Sequence, residues 1–141
     1  MLVSEIMSRG VVSLSPDDTI ESAARLLAHH GVGALPVCGE DGRVRGMVTD
    51  RDITVRGVAA DLPAGTPVRS LMSRPVYTVE AHADVREAAL MMAEKQVRRL
   101  PVMQNGRLCG MISLGDVAKS HAYDMEASQA LGEISLPARD Y

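Results

Sequence analysis

Gly46-Met47-Val48-Thr49-Asp50-Arg51-Asp52 returns further along the chain as Gly110-Met111-Ile112-Ser113-Leu114-Gly115-Asp116, an offset of 64 (110 − 46). Upstream, Val32-Gly33-Ala34-Leu35-Pro36-Val37 is answered by Val97-Arg98-Arg99-Leu100-Pro101-Val102. Val3-Ser4-Glu5-Ile6-Met7-Ser8-Arg9-Gly10-Val11 is answered by Val68-Arg69-Ser70-Leu71-Met72-Ser73-Arg74-Pro75-Val76. Both of these pairs are offset by 65 (97 − 32 and 68 − 3), so one residue is lost in an intervening turn. Solenoid units run about 20–50 residues and need three or more copies. Two copies of a longer unit predict instead two half-domains about a pseudo-two-fold axis. Paired, related clefts follow from that symmetry.

Each copy reads as βαββα. In the first, Ser4 to Met7 is a helical lead-in and Val11-Val12-Ser13-Leu14 a short strand. Thr19 opens a helix with apolar positions Ile20, Ala23, Ala24, Leu27 and Ala28, and Gly31 closes it. Strands Leu35–Cys38 and Val44–Val48 flank the turn Gly39-Glu40-Asp41-Gly42, and a helix runs from Thr49 or Asp50 to about Ala59. Two prolines and a glycine mark 60–67 as a linker. The second copy gives strand Val76–Val79, helix Asp84–Lys95 with the stripe Val85, Ala88, Ala89, Met92 and Ala93, strands Leu100–Met103 and Arg107–Ile112, and a helix from Leu114. Tyr123 to Leu131 has room for a further helix, and Glu133 to Tyr141 reads as a loose tail.

Composition narrows the function. The 141 residues hold no Phe, no Trp and three Tyr, namely Tyr77, Tyr123 and Tyr141, so a stacking platform for single-stranded nucleic acid is missing. The net charge of −3 gives no pull towards nucleic acid or anionic lipid. No apolar run approaches the roughly 20 residues that span a bilayer, and the first residues lack the pattern of a secretory signal. Two cysteines, Cys38 and Cys109, do not make a disulfide framework. A cytoplasmic protein is expected, with no nucleic acid and no membrane among its partners.

The duplicated strand ends carry the chemistry. Each sets a hydroxyl (Thr49, Ser113) at the end of a buried strand and a carboxylate (Asp52, Asp116) three residues on. A hydroxyl beside unsatisfied backbone N–H groups can hold a phosphate. A carboxylate one turn later can accept paired hydrogen bonds from vicinal ribose hydroxyls. The competing reading is structural, with Thr49 and Ser113 as N-caps and the two aspartates completing capping boxes. Arg98 and Arg99 stand where the first copy has Gly33 and Ala34, and would add charge-assisted phosphate contacts beside Ser113 and Asp116.

These motifs (the Ile-Met-Ser opening, the Gly-Ala-Leu-Pro-Val and Arg-Arg-Leu-Pro-Val strands, and the two hydroxyl-and-aspartate ends) make Val3 to Ala122 resemble a tandem pair of CBS domains, the cystathionine-β-synthase-type regulatory module. The likeness is to small stand-alone bacterial proteins of the hypoxic- or stress-response type. It implies an α/β (α+β) fold of two pseudo-symmetric repeats packed as one disc. The first domain would span 1–59, the linker 60–67, the second domain 68–123, and a C-terminal helix or tail 124–141.

The resemblance also implies adenosyl ligands in two clefts between the repeats: AMP, ADP, ATP, S-adenosylmethionine or NAD. Carried over by position, one cleft would join Val12, Ser13, Val32, Gly33 and Pro36 to Ser113 and Asp116, with Arg98 and Arg99 as phosphate partners. The other would join Tyr77, Thr78, Val97, Arg98 and Pro101 to Thr49, Arg51 and Asp52. The first ranks as the better nucleotide site, since Asp50 adjoins Arg51 and could neutralise it. No cofactor is required. The family's dimerisation through Ala-rich helix faces such as Ala23-Ala24 and Ala88-Ala89 implies a homodimer, and the output would pass to an effector protein that the residues do not name.

Other readings carry less. His29, His30, His82 and His121 with Cys38 and Cys109 show no ligand spacing, so no metal site is expected. His29-His30 suits the dipole at a helix C-terminus, and the two cysteines read as small core residues. Gly-x-Ser-x-Gly is absent and no nucleophile–base arrangement is legible, so no catalysis is expected. The nine methionines are core filler in a chain without Phe. The alternative to a ligand sensor is a ligand-free dimer that serves as a protein-interaction scaffold in a stress response.

Overall fold

The computed structural model describes residues 1–74, 76–120 and 124–137. Pro75, His121, Tyr123 and Tyr141 therefore lie outside the described residues. The chain divides into two compact units, and these do not follow the sequence repeats. Val12–Val76 forms the first unit, while Met1–Val11 joins Tyr77–Tyr141 in the second. Each lead-in segment thus serves the unit built by the other repeat's hairpin and helices.

In the first unit, helix α2 (Ile20–His30) is capped by Thr19, whose side chain accepts the Ser22 N–H, and ends at Gly31 in the left-handed conformation (φ 62°). Strands β1 (Ala34–Cys38) and β2 (Val44–Thr49) form an antiparallel hairpin. The short helix α3 (Asp50–Asp52) follows and widens at once into a π-helical turn, Ile53–Val58. The 60–67 stretch is tied down at its far end, since the Ile20 and Glu21 N–H groups donate to the Thr66 and Ala64 carbonyls. A 3₁₀ turn, Val68–Ser70, closes the unit. Its core is aliphatic: Leu14, Ile20, Ala23, Leu27, Leu35, Val37, Val48, Val68, Leu71 and Met72. On α2 the expected stripe is buried at Ile20, Ala23 and Leu27 but exposed at Ala24 and Ala28, with Leu26 half-buried in their place.

The second unit begins with α1 (Val3–Ile6). It continues with β3 (Val79–Glu80), α4 (Val85–Lys95), β4 (Arg99–Gln104), β5 (Arg107–Ser113) and α5 (Leu114–Ala118). Strand β3 pairs parallel with β4, and β4 antiparallel with β5. Val3, Met7, Val79, Val85, Ala88, Ala89, Met92, Leu100, Val102, Ile112 and Val117 are among its core residues. The α4 stripe is buried at all five expected positions. Ala88 and Ala89 are thereby used inside the unit, so they offer no small-residue face to a second helix pair from another copy.

Three expectations need correction. Val11–Leu14 is not a strand, because it makes a single parallel bridge, Leu14 to Val37, with only Leu14 fully buried. The strand expected at Val76–Val79 starts only at its last residue, giving the two-residue β3 (Val79–Glu80), since burial begins at Val79. The helix allowed over Tyr123–Leu131 runs on past Glu133, where a loose tail was expected, as α6 (Asp124–Ser135). Ala127, Ala130 and Ile134 recur at helical spacing and pack into the second unit's core, which makes the helix worth forming.

A missing Cβ fixes both hairpins. A methyl at Gly46 would lie 2.5 Å from Met72 Sδ, and one at Gly110 would lie 2.6 Å from Met7 Sδ and 2.8 Å from the Ser8 carbonyl oxygen. Over these glycines the lead-in segments pair with the strands. Ser73 exchanges backbone hydrogen bonds with Met47 (2.8 and 3.2 Å), and Ser8 with Met111 (2.8 and 3.0 Å). The copies differ where α2 and α4 end. Gly31 is replaced by Gln96 at φ 55°, a conformation that costs a side chain about 1–2 kcal/mol.

Gly110→Ala should lower stability by about 1–3 kcal/mol through overpacking against backbone that cannot yield. Gly46→Ala should cost less, because the flexible end of Met72 can move. Thermal melts of the two variants beside wild type check the order.

Candidate functional site

The two duplicated corners are built alike. At the end of β2 the Thr49 N–H donates to Asp52 Oδ2 (3.0 Å) and the Asp52 N–H donates to Thr49 Oγ1 (3.0 Å). At the end of β5 the Ser113 N–H donates to Asp116 Oδ2 (2.9 Å) and the Asp116 N–H donates to Ser113 Oγ (3.1 Å). All four side chains close reciprocal capping boxes on their own helices, as the structural reading expected.

Beyond that shared frame the corners diverge. Asp52 is buried at 8% exposure, and its carboxylate is taken up on both oxygens. Ser73 Oγ donates to Oδ1 and Oδ2 at 3.1 Å each, and Arg56 Nη1 lies 3.8 Å from Oδ1. Neither Ser73 nor Arg56 stood among the sequence candidates, although Ser73 belongs to the repeated Met-Ser-Arg motif. Asp116 is half-buried, and its Oδ1 has no hydrogen-bond partner among the described residues. The second corner keeps capacity that the first has spent.

Around Ser113 the second unit opens a cleft of about 620 Å³. Arg98, Arg99, Ser113, Leu114 and Gly115 form one group of its lining, and Ala127, Ser128 and Leu131 of α6 another. Register explains the meeting of the first group: Arg99 sits opposite Ser113 in the β4–β5 ladder, and the Leu114 N–H donates to the Arg98 carbonyl (2.7 Å). Both arginines are exposed, and neither guanidinium has an ion-pair or hydrogen-bond partner among the described residues. Asp116 does not line this cleft. It faces a smaller hollow of about 290 Å³ with Met1, Ile6, Lys119 and Ser120.

The remaining candidates fall by unit. Val12 is half-buried, Ser13 and Val32 are exposed, Gly33 accepts the Asp50 N–H on its carbonyl, and Pro36 is buried within β1, all in the first unit with Thr49, Arg51 and Asp52. Tyr77, Thr78, Val97 and Pro101 belong to the second unit with Arg98, Arg99, Ser113 and Asp116. Lys95 Nζ sits 5.0 Å from the Tyr77 ring centroid, a cation–π contact. Asp50 does not form an ion pair with Arg51; its Oδ1 accepts the Arg51 backbone N–H (2.8 Å). The contribution of Ala127, Ser128 and Leu131 was not foreseen: a helix was allowed over Tyr123–Leu131, but no site residue was assigned to it.

Among the described residues no three His, Cys, Asp or Glu side chains are grouped as a metal site, and no helix is long and apolar enough to cross a membrane. His29 and His30 meet edge to face at the end of α2 (4.9 Å between centroids). Burial pushes both the Cys38 and the Cys109 thiol above the usual range. At Cys38 burial outweighs the opposing Ser13 hydrogen bond, and Asp41 adds to the rise.

Two outcomes follow. Asp52→Ala should cost about 1–3 kcal/mol, since it removes a cap and strands the Ser73 hydroxyl, whereas Asp116→Ala should cost about 1 kcal/mol for the cap alone; chemical denaturation separates them. A raised pKa leaves less thiolate, so both cysteines should alkylate with iodoacetamide more slowly than free cysteine near pH 8, the gap narrowing as pH rises. Rates read by mass spectrometry check this.

Comparison with known proteins agrees with the duplicated pattern. The CBS domain family matches residues 3–56 and 68–123. Hypoxic response protein 1 of Mycobacterium tuberculosis is 40% identical over 116 residues, covering 82% of this chain and 81% of that protein. A crystal structure of Hypoxic Response Protein I with two coordinated zinc ions superposes with a TM-score of 0.79 at 39% identity, covering 84% of this chain and 98% of that one. The CBS domain protein PAE2072 of Pyrobaculum aerophilum, complexed with AMP, gives 0.80 at 31% identity over 91% and 98% of the two chains. The CBS domain pair of MJ0100, in complex with 5′-methylthioadenosine and S-adenosyl-L-methionine, gives 0.75 at 25% identity over 84% and 94%. With both halves matched and the strand-end motif present in each, this chain belongs to the CBS domain family as a tandem pair.

Proposed function

We propose that this protein is a regulatory binding module for an adenosyl compound, and that its Arg98–Arg99 cleft receives the phosphate end of an adenine nucleotide. The observation that carries the reading is that Arg98 and Arg99, whose guanidiniums have no partners among the described residues, line one concave surface together with Ser113. The cleft's volume lies within the roughly 300–1,000 Å³ usual for small-molecule sites. Arginine forks suit phosphate oxygens, and charge-assisted hydrogen bonds are about twice as strong as neutral ones. The AMP bound by PAE2072 and the adenosyl compounds bound by MJ0100 support the ligand class.

Two positive side chains discriminate within that class. AMP, ADP and ATP bring negative charge to them, whereas S-adenosylmethionine brings a sulfonium cation. Phosphorylated ligands should therefore bind more tightly here. Occupancy can be signalled only through different affinity for two arrangements of the protein. A homodimer that hands the signal to an effector protein remains part of this proposal. The competing scaffold reading has its own observation, since capping boxes occupy both corners. It expects no ligand effect on stability.

Isothermal titration with AMP, ATP and S-adenosylmethionine tests the proposal. AMP or ATP should bind, and Arg99→Ala should weaken binding at least about tenfold, or 1.4 kcal/mol. At 100 times Kd the ligand should add about 2.7 kcal/mol of stability. No heat and no thermal shift with any of the three would leave the scaffold reading standing.

A further inference from the structure

Helix α6 begins at Asp124, just past residue 123 where the family match ends. It nevertheless supplies Ala127, Ser128 and Leu131 to the cleft that holds Arg98, Arg99 and Ser113. These positions are spaced one and then three residues apart, so they share one helix face. Among the described residues Ser128 is the one polar side chain of α6 that lines the cleft.

The helix is fastened at both ends to α4. Near its start, Arg86 Nε lies 3.6 Å from Glu126 Oε1. Near its end, Gln96 Nε2 donates to the carbonyls of Glu133 (3.2 Å), Leu136 (3.5 Å) and Pro137 (3.4 Å). Start meets start and end meets end, so α6 runs alongside α4 in the same direction. Gln96 takes the left-handed conformation that the first copy gives to Gly31 (96 − 65 = 31). A glycine there would be free of strain but could not reach α6. The terminal carbonyls of a helix lack intrahelical partners, and this side chain supplies one.

We infer that α6 is a ligand-contacting wall of the cleft, with Ser128 donating a hydrogen bond to the bound nucleotide and Gln96 acting as the positioning residue that holds the wall in place. The inference rests on the adenine-nucleotide reading and extends it beyond the duplicated repeats. A ligand that touches β4, α5 and α6 together favours the docked helix over the undocked one, and docking favours the ligand by the same factor. The C-terminal helix then reports occupancy.

AMP titrations and amide hydrogen exchange on the full chain test this. Ser128 is exposed, so Ser128→Leu should fold; it should weaken AMP binding about tenfold or more by filling the cleft, while Gln129→Ala, off the lining face, should change nothing. Gln96→Gly relieves α4 and releases α6, so exchange over residues 124–135 should quicken and AMP should bind about three- to tenfold more weakly. In wild type AMP should slow exchange over the same residues. If binding depends on Arg99 yet ignores Ser128→Leu, and AMP leaves α6 exchange unchanged, α6 is not the wall and the nucleotide reading alone survives. If wild type binds neither AMP nor ATP, both fall.

Discussion

Both halves of this molecule depend on a strand that can be approached from above because one side chain is missing. Gly46 in β2 and Gly110 in β5 lie under Met72 and Met7, with no room for a methyl group. The main chain of the Met-Ser segment can then exchange two hydrogen bonds with the strand, at Met47 in one unit and Met111 in the other. That pairing fixes the hairpin on its outer side while the aliphatic core fixes it on the inner. The strand ends two residues after its pairing partner, at Thr49 or Ser113, where the chain must turn into a helix. The position of the hydroxyl-and-carboxylate corner is thus set by backbone geometry upstream of it.

Given so similar a frame, the differences between the copies become informative. In the first unit polar groups are consumed internally: Asp52 takes Ser73 and faces Arg56, and Gly31 ends its helix at no steric cost. In the second, Ser8 is exposed and its hydroxyl makes no hydrogen bond to Asp116 among the described residues. Gly33 and Ala34 have given way to Arg98 and Arg99, and Gly31 to the strained but useful Gln96. Each change adds polar reach to one unit. A duplicated scaffold can tolerate this, because the core stripe and the glycine-over-methionine packing are left alone.

Much of the fold was legible because it rests on periodicity and punctuation. The stripe from Val85 to Ala93, the Thr19 cap, the Gly31 stop and both hairpins follow from local pattern. The exchange of lead-in segments was not legible, since Val3–Met7 and Val68–Met72 have the same pattern and nothing local says which hairpin each covers. The capping boxes were legible as one of two readings, and their hydrogen bonds formed as that reading requires. Ser73 was missed because a tertiary contact, 21 residues apart in sequence, brings it to Asp52, whereas Arg56, four residues on from Asp52, was open to a local reading that was not made. Helix α6 was underread for a related reason. Its burial of Ala127 and Ala130 involves small side chains, whose hydrophobic signal in sequence is faint.

An exposed arginine without a partner costs almost nothing in water, so exposure alone says little about Arg98 and Arg99. Their placement says more. Elsewhere in the chain Arg25, Arg45 and Arg69 lie beside a carboxylate (Glu21, Asp41 and Asp17), on a surface with a net charge of −3 that offers acidic partners readily. Arg98 and Arg99 both line one concave surface, and no carboxylate is paired to either among the described residues. In the proposed reading a phosphate entering the cleft would meet both positive charges, with α6 as part of the lining. The proposed anion-binding character of this cleft thus rests on two arginines with no counterpart in the first copy and on the helix that lines the cleft with them.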